Sequence, residues 1–350
     1  MTYKKFANLP IPSSTSTFLI AEIGLNHNGN LNLCFEMVKE ASMSGASFIK
    51  LQKRDIYELM TQEQLDQDFI KVPTFGTTQR EVRLKNEFGF DEYKEIFNYA
   101  KSLGMIPFAT AFDLSSLDFL CKLDSKIVKI ASHSSSNISL INEALKRNLS
   151  LIISTGGLSR DQIIKLGEFL EPFRNKVCLM HCTSAYPCPP EQAFTDTITW
   201  FKERFPNFLV GFSSHENGFA ASITASILGA TFIERHFTLS KSMVGFDHSI
   251  SMEPDEFKEL SCLLKQCIAT RGIKREIMDS ELPAKLNYHS GLFCKRDIKK
   301  GDSVRLKDFK ILQPLKSMDN ITSLEFGLDN EYVMVRDVKK GEQLKKNDIR

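Results

Sequence analysis

The stretch TFIERHF, residues 231–237, begins as a buried strand should, with Thr231, Phe232 and Ile233 in succession, and then sets Glu234, Arg235 and His236 side by side. An apolar run that closes on three groups costly to bury implies a place where charge is wanted. Alternation along a strand turns Glu234 and His236 to one side and Arg235 to the other. Seven similar runs precede it: FLIAEIG (18–24), FIKLQ (48–52), MIPFAT (105–110), IVKIAS (127–132), LSLIIST (149–155), KVCLMHC (176–182) and FLVGFSS (208–214). Segments of helical period follow the eight runs, near 32–44, 91–103, 115–123, 138–147, 158–170, 190–204, 217–228 and 254–270. Nearly continuous hydrophobic strands separated by helices predict a parallel sheet covered on its outer face. Eight such units over roughly 250 residues match a (β/α)8 TIM barrel in number and length.

An open doubly wound sheet is the alternative, but it prefers fewer strands and a glycine-rich phosphate turn after the first, where this chain has GLNHNGN (24–30). A long insertion, 53–90, follows the second run and carries mixed charge with Pro73 and Gly76; loops of this length in a compact domain are commonly functional. The barrel domain is expected over 1–275, then a polar linker over 276–289, then a small β-rich domain over 290–350. In that last block CKRDIKKGDSVRLKDF (294–309) and MVRDVKKGEQLKKNDI (334–349) are two copies of one motif, each with a basic turn closed by Gly301 or Gly341. A block so small buries little surface alone and is expected to dock on a barrel, its own or a partner's.

The chain has 350 residues, 42% hydrophobic and 25% charged, enough for a large core plus one smaller domain. With 45 Lys and Arg against 43 Asp and Glu, a net charge of +2 gives no reason to expect nucleic acid or an anionic membrane as partner. The sequence has no apolar run of about 18 residues and no signal-peptide core near its N-terminus, so a cytoplasmic location is expected. The eight cysteines lack CxxC spacing and read as free thiols, not as a disulfide framework. Cys182 and Cys188 flank a proline-rich turn, but metal ligation there is disfavoured because His181 and Cys182 point to opposite faces of a strand.

In a barrel of this kind the active site lies at the C-terminal ends of the strands. That places Glu234 and His236 at the mouth, together with Glu22, Lys50, Gln52, Thr110, Lys129, Ser132, Ser154, Ser213 and His215. Two lysines and several hydroxyls facing one cavity suit a small, doubly anionic molecule such as a phosphate ester that also has a carboxylate. The alternative is that each lysine is held in a structural ion pair with Glu22 or Glu234. His215 and His236 end adjacent strands, beside Glu234, Asp247 and His248, and suit a borderline divalent ion such as Mn2+, Fe2+, Co2+ or Zn2+.

Taken in order, AEIGLNHNG (21–29), KLQ (50–52), KIAS (129–132), STGG (154–157), HCTSAYP (181–187), GFSSH (211–215) and ERHFT (234–238) with GFDHSISMEP (245–254) resemble the sialic acid synthase family. The likeness runs from about residue 18 to the C-terminus, since members of that family also end in a small antifreeze-like (SAF) domain. It implies condensation of phosphoenolpyruvate with an open-chain 2-acetamido hexose, N-acetylmannosamine or a modified relative, to a nine-carbon 2-keto-3-deoxy acid and phosphate. By resemblance Lys50, Thr110, Lys129, Ser132, Ser154 and Ser213 hold phosphoenolpyruvate. His215 and His236 hold a divalent metal, Mn2+ foremost, with Mg2+ or Co2+ as alternatives. Glu22 and Glu234 are the acid and base candidates beside Lys50 and Lys129, and Gln52, Tyr186, Asp247 and Gln313 are the sugar-binding candidates. It also implies a homodimer in which the small domains are exchanged.

Three positions depart from the family pattern. Ser134 stands where a glutamate that contacts the sugar is expected, Ser184 where asparagine is frequent, and Gln313 where arginine commonly precedes the proline. All three touch the acceptor side, where each unpaired buried polar group costs about 1 to 3 kcal/mol. Retained chemistry with an altered acceptor follows as the expectation. Two further readings stay open: a synthase acting on a phosphorylated or non-acetylated aldose (Kdo-8-phosphate synthase-like), with His133, Lys53 and Arg54 as a second phosphate pocket, and a non-catalytic barrel that keeps the anion pocket.

Overall fold

A computed structural model describes residues 3–7, 9–12, 17–69, 75–274 and 276–350; Pro73 of the insertion lies outside them. The chain divides into two compact units, Met1–Arg271 and Gly272–Arg350.

In the first unit eight parallel strands close into a barrel in chain order: Phe18–Gly24, Phe48–Lys53, Ile106–Ala111, Ile127–Ile130, Ser150–Ser154, Val177–Cys182, Leu209–Ser214 and Phe232–His236, the last pairing with the first. The strands are buried on both faces, which is why they read as continuous apolar runs. Their outward side chains, Leu19, Ala21, Ile49, Leu51, Val128 and Ile233 among them, pack under the helices in the main core. Inward, the lower barrel is filled by Ile20, Phe48, Phe108, Ile127, Ile152, Cys178, Met180 and Phe232. Phe48 packs edge-on against Phe18, Phe108 and Phe232, with ring centroids 5.5–6.1 Å apart. An N-terminal hairpin, Tyr3–Phe6 with Leu9–Pro12, delivers the fully buried Phe6 to the Phe232 ring at 5.6 Å and so closes the lower end. One layer further up the same strands the interior turns polar, with Glu22, Lys50, Lys129 and Glu234. That change from aromatic floor to charged mouth answers the question posed by 231–237.

Two elements differ from the sequence reading. The fourth strand stops at Ile130, and Ser132–Ser134 forms a 3-10 turn that carries Ser132 and His133 onto the rim. The helix expected over 190–204 starts only at Thr197, because the Pro189–Pro190 turn and a positive φ of 43° at Phe194 break the segment before it. The 53–90 insertion is not structureless. It holds short helices Ile56–Leu59, Gln62–Leu65 and Gln79–Lys85, and its Phe69 and Phe75 rings lie 5.7 and 6.3 Å from Phe246 on the loop after the eighth strand.

The second unit is β-rich, with Gly291–Cys294 paired to Phe309–Leu312 and Ser303–Arg305 to Glu331–Val333. Its duplication is visible as reciprocal contacts. Ile298 and Val338 bridge each other, Lys299 Nζ reaches Asp337 at 2.9 Å while Lys339 Nζ reaches Asp297 at 3.1 Å, and the amides of Lys300 and Lys340 donate to those same aspartates. Gly301 and Gly341 turn the chain at φ of 91° and 81°. Part of the stretch read as a linker is ordered in this unit as a helix, Leu282–Tyr288, with Pro283 in its first turn where a missing N–H costs nothing.

Candidate active site

The C-terminal ends of the strands surround a cavity of about 320 Å³. Its wall includes Glu22, Lys50, Gln52, Thr110, Lys129, Ser132, Ser154, Tyr186, Ser213, His215, Glu234, His236 and Asp247, so every site residue expected in the barrel is gathered there. Gln313 lies in the second unit, where its Nε2 donates to the carbonyl of Tyr288 at 2.5 Å. Phe112, His133, Cys182 and Ser184 also line the cavity. His248 does not, because its Nδ1 bonds to the Thr238 hydroxyl at 2.7 Å. His181 faces outward to the Ala193 carbonyl at 2.9 Å, opposite to Cys182.

Glu234 is the hub of the floor. Its carboxylate accepts from Lys129 Nζ at 2.7 and 2.8 Å and from Ser213 Oγ at 3.1 Å, and Lys50 Nζ lies 3.1 Å from Oε1. Lys50 also approaches Glu22 Oε2 at 3.3 Å and the Thr110 hydroxyl at 3.4 Å. Both lysines are therefore ion-paired, as the alternative reading held. Burial pushes the Glu22 carboxyl up to about 7, with Lys50 opposing the rise and Glu234 adding to it. Burial also acts to raise Glu234, but Lys129 and Lys50 overcome it and hold that carboxyl well below the usual range. For Lys129 burial outweighs the pull of Glu234 and lowers its pKa. For Lys50 burial acts downward too, yet Glu22 and Glu234 more than restore it.

The two imidazoles stand at the rim with ring centroids 5.4 Å apart, and the Tyr186 ring lies 4.0 Å from that of His215. Burial drives both down to about 3, so both are neutral at ordinary pH. His215 Nδ1 donates to the Thr183 carbonyl at 3.1 Å, which fixes the tautomer and leaves Nε2 with its lone pair. His236 Nδ1 has no hydrogen-bond partner and lies 3.8 Å from Asp247 Oδ2. Among the described residues no group of three or more His, Cys, Asp and Glu is arranged to hold a metal. A metal here would thus take two imidazole nitrogens and complete its sphere from water or substrate, and the bare nitrogens fit that role. Ser154 Oγ and Glu22 Oε2 are likewise buried without a hydrogen-bond partner, and such groups in a cavity wall mark where a polar ligand belongs.

Several supporting roles were not visible in the sequence. Arg235, turned outward and buried, donates to the Glu216 carboxylate, the carbonyls of Glu216 and Gly218, and the Ser222 hydroxyl. Glu216 also accepts the Ala221 and Ser222 amides at 2.8 Å, so this pair ties the eighth strand to the chain just after His215. Asn26 donates to the Phe237 carbonyl at 2.9 Å and the Ser251 hydroxyl at 2.8 Å, clipping the first loop to the last. Gly156 of STGG is required by space, since a Cβ there would stand 2.4 Å from Ser184 Oγ and 2.7 Å from Ser132 Oγ. At the ends of the second, third and fourth strands the Arg54 guanidinium lies 4.5 Å from the Phe112 ring centre, and the His133 ring stacks on Phe112 at 4.9 Å and 12°.

Comparison with known proteins gives the following likenesses. The model of the NeuB family matches residues 37–276. The chain is 35% identical over 243 residues to N-acetylneuraminate-9-phosphate synthase of Mus musculus, covering 69% of this chain and 68% of that one. It is 33% identical over 298 residues to N,N'-diacetyllegionaminic acid synthase of Campylobacter jejuni, covering 82% and 87%. Among solved structures, N-acetylneuraminic acid synthetase from Leptospira borgpetersenii, in complex with citrate, superposes with a TM-score of 0.70 at 29% identity, over 81% of this chain and 95% of that one.

Proposed function

The chain belongs to the NeuB family, and so to the sialic acid synthases, and on that premise we propose that it condenses phosphoenolpyruvate with an open-chain 2-acetamido hexose to give a nine-carbon 2-keto-3-deoxy sugar acid and phosphate. The observation that carries the reading is the floor of the cavity, where two buried lysines, the Thr110 and Ser213 hydroxyls and the unpartnered Ser154 hydroxyl converge. Lys50, Thr110, Lys129, Ser132, Ser154 and Ser213 would hold the phosphate and carboxylate of phosphoenolpyruvate. Gln52, Tyr186 and Asp247 would orient the sugar so that C3 of phosphoenolpyruvate meets the aldehyde carbon, and Gln313 is a further sugar-binding candidate from the second unit. After the new bond forms, water adds at C2, and the tetrahedral intermediate expels phosphate by carbon–oxygen cleavage. Glu22, poised near 7, suits proton transfer, whereas Glu234 stays ionised and fixes the two ammonium groups. Bound between His215 and His236, a divalent ion would supply Lewis-acid polarisation of the aldehyde oxygen, with Mn2+ foremost and Mg2+ or Co2+ as alternatives. The antifreeze-like character of the second unit and a domain-exchanged homodimer belong to the same proposal.

The test is phosphate release from phosphoenolpyruvate with Mn2+, across free and phosphorylated aldoses, before and after EDTA. Release with an acetamido hexose, abolished by chelation, is the expected result. Binding of phosphoenolpyruvate without release under any condition overturns the reading in favour of a non-catalytic barrel. A phosphorylated aldose is the second reading, favoured by the Arg54 guanidinium beside the Phe112 ring, on which the His133 ring also stacks.

A further inference from the structure

We propose that the buried Arg235–Glu216 pair is a positioning device for the metal site: it fixes the spacing of the His215 and His236 imidazoles, and the affinity for a divalent cation depends on it. The proposal rests on the reading of those two histidines as ligands and deepens it. Both members of the pair adjoin a ligand in sequence, Glu216 following His215 and Arg235 preceding His236. Alternation along the eighth strand turns His236 into the cavity and Arg235 to the outer side. Neither Arg235 nor Glu216 lines the cavity, so whatever they contribute there passes through the histidines.

The sheet by itself does not set the distance between the two rings. The ladder joining the seventh and eighth strands ends at Ser214 and Arg235, one residue short of each histidine. His236 still pairs, but on its other side, with Glu22 of the first strand. His215 lies beyond the end of the seventh strand and is held toward the sixth, its carbonyl accepting from the Cys188 amide at 2.9 Å and its Nδ1 donating to the Thr183 carbonyl at 3.1 Å. The two imidazoles are thus anchored to different neighbours, and Arg235 bridges the gap. Its Nη1 donates to Glu216 Oε1 at 3.2 Å and to the Gly218 carbonyl at 2.7 Å, and its Nη2 to the Glu216 carbonyl at 2.7 Å. The carboxylate is locked in turn by the amides of Ala221 and Ser222 and by the Ser222 hydroxyl, each at 2.8 Å. A planar fork that grips a side-chain oxygen and two carbonyls of one turn fixes the orientation of that turn, which a point charge would not. A cation that takes two protein ligands and completes its sphere from water has little else to hold it, so misplacing one imidazole costs affinity. Partners that orient metal ligands from outside are worth about tenfold to a hundredfold in metal binding. Charge alone predicts a different pattern. A cation near His236 is repelled by Arg235 and attracted by Glu216, so loss of the Arg235 charge would tighten binding and loss of the Glu216 charge would weaken it. Positioning predicts weaker binding in both cases.

The experiment titrates Mn2+ into the EDTA-stripped full chain in competition with a chelating dye, with neither phosphoenolpyruvate nor an aldose present. In Arg235→Met the Kd for Mn2+ is expected to rise about tenfold to a hundredfold. Arg235→Lys should recover part of the loss, and Glu216→Gln, which keeps the two carbonyl bonds, should show a smaller rise of the same sign. Leu140→Ala, a core truncation on the helix Ile138–Lys146, serves as a variant destabilised elsewhere and should keep the wild-type Kd. Unchanged or tighter binding in Arg235→Met overturns the proposal, and so does an equal rise in Leu140→Ala, which would reflect general loosening. Where Arg235→Met does not fold, Arg235→Lys and Glu216→Gln decide: weaker binding in both supports the proposal, and wild-type affinity in either overturns it. A wild-type protein that binds no Mn2+, or binds it equally well after His236→Ala, overturns it too. Phosphate release tests the condensation reading separately, since the pattern of weakened Mn2+ binding supports the proposal even where the wild-type protein turns over no aldose.

Discussion

Replacing Arg235 by methionine tests why a guanidinium is kept on the outer side of the eighth strand. The side chain is 2% exposed and spans Glu216 Oε1 at 3.2 Å, the Glu216 and Gly218 carbonyls at 2.7 Å each, and the Ser222 hydroxyl at 3.1 Å. Methionine fills most of the volume and donates nothing. Two carbonyls lose a donor at about 1 kcal/mol or more each, and the Glu216 carboxylate, itself 4% exposed, loses its cation. Its bonds to the Ala221 and Ser222 amides survive, which limits the damage. The sum falls in the range of about 3 to 5 kcal/mol for breaking a buried pair by removing one partner. Urea unfolding followed by the fluorescence of Trp200, the single tryptophan, reports on the barrel directly. Because Glu216→Gln removes the same charge pair, the double variant should be less costly than the sum of the singles by about 1 to 3 kcal/mol. A loss below about 1 kcal/mol for Arg235→Met, or strict additivity in the double variant, would refute the account of Arg235 as a clip between the eighth strand and the segment after His215.

His236→Ala should abolish tight Mn2+ binding, read by competition with a chelating dye, and metal-dependent turnover, while leaving the unfolding transition in place; retained stoichiometric binding would remove His236 as a ligand. Lys129→Met leaves Glu234 with Lys50 and Ser213 and should weaken phosphoenolpyruvate binding about tenfold or more in calorimetry; unchanged affinity would assign Lys129 to a structural pair alone. For Glu22 the folded pKa of about 7 exceeds the model-peptide 4.5, so its stabilisation is fully present below pH 4.5 and lost as the pH rises through 7. Glu22→Gln mimics the protonated form, and its urea midpoint should fall less than that of the wild type across that window; parallel profiles would contradict the shift.

The barrel was legible because its strands are buried on both faces, so each stands out as an apolar run, and because the polar residues closing those runs occupy the open end that Phe6 and the phenylalanine floor leave to them. Boundaries were less so. The turn at Ser132–Ser134 follows an apolar run without a glycine or proline to mark it, and the late start of the helix at Thr197 depends on the backbone conformation of Phe194. Membership of the cavity wall was readable from strand ends, but pairing within it was not. Lys129 and Glu234 lie on the fourth and eighth strands and meet only across the barrel interior. The roles of Asn26 and Glu216 come from loops whose course no periodicity encodes. His248 sits beside Asp247 in sequence yet turns to Thr238, since a 3-10 turn begins there.

The ion pairs of Lys50 and Lys129 bear on what the cavity floor is for. In a purely structural quartet two ionised carboxylates would balance two ammonium groups. Here one carboxylate, Glu234, serves both lysines, while burial leaves Glu22 near 7, so at neutral pH the four groups carry an excess of positive charge. That state favours an incoming anion and has a measurable consequence. An anion placed against Lys50 competes with Glu22 for the same ammonium group and raises the Glu22 pKa further, so Glu22 takes up protons on binding. At pH 7, where Glu22 is about half ionised, the uptake approaches about half a proton per site. The check is calorimetric titration of phosphoenolpyruvate into EDTA-treated protein in buffers of different ionisation enthalpy. Uptake that is largest near pH 7 and absent in Glu22→Gln is the expected result. Because the ligand's phosphate titrates at about 6 and can itself shed a proton against the two ammonium groups, the uptake is read as wild type minus Glu22→Gln, and no difference between the two would refute an anion seated beside Lys50.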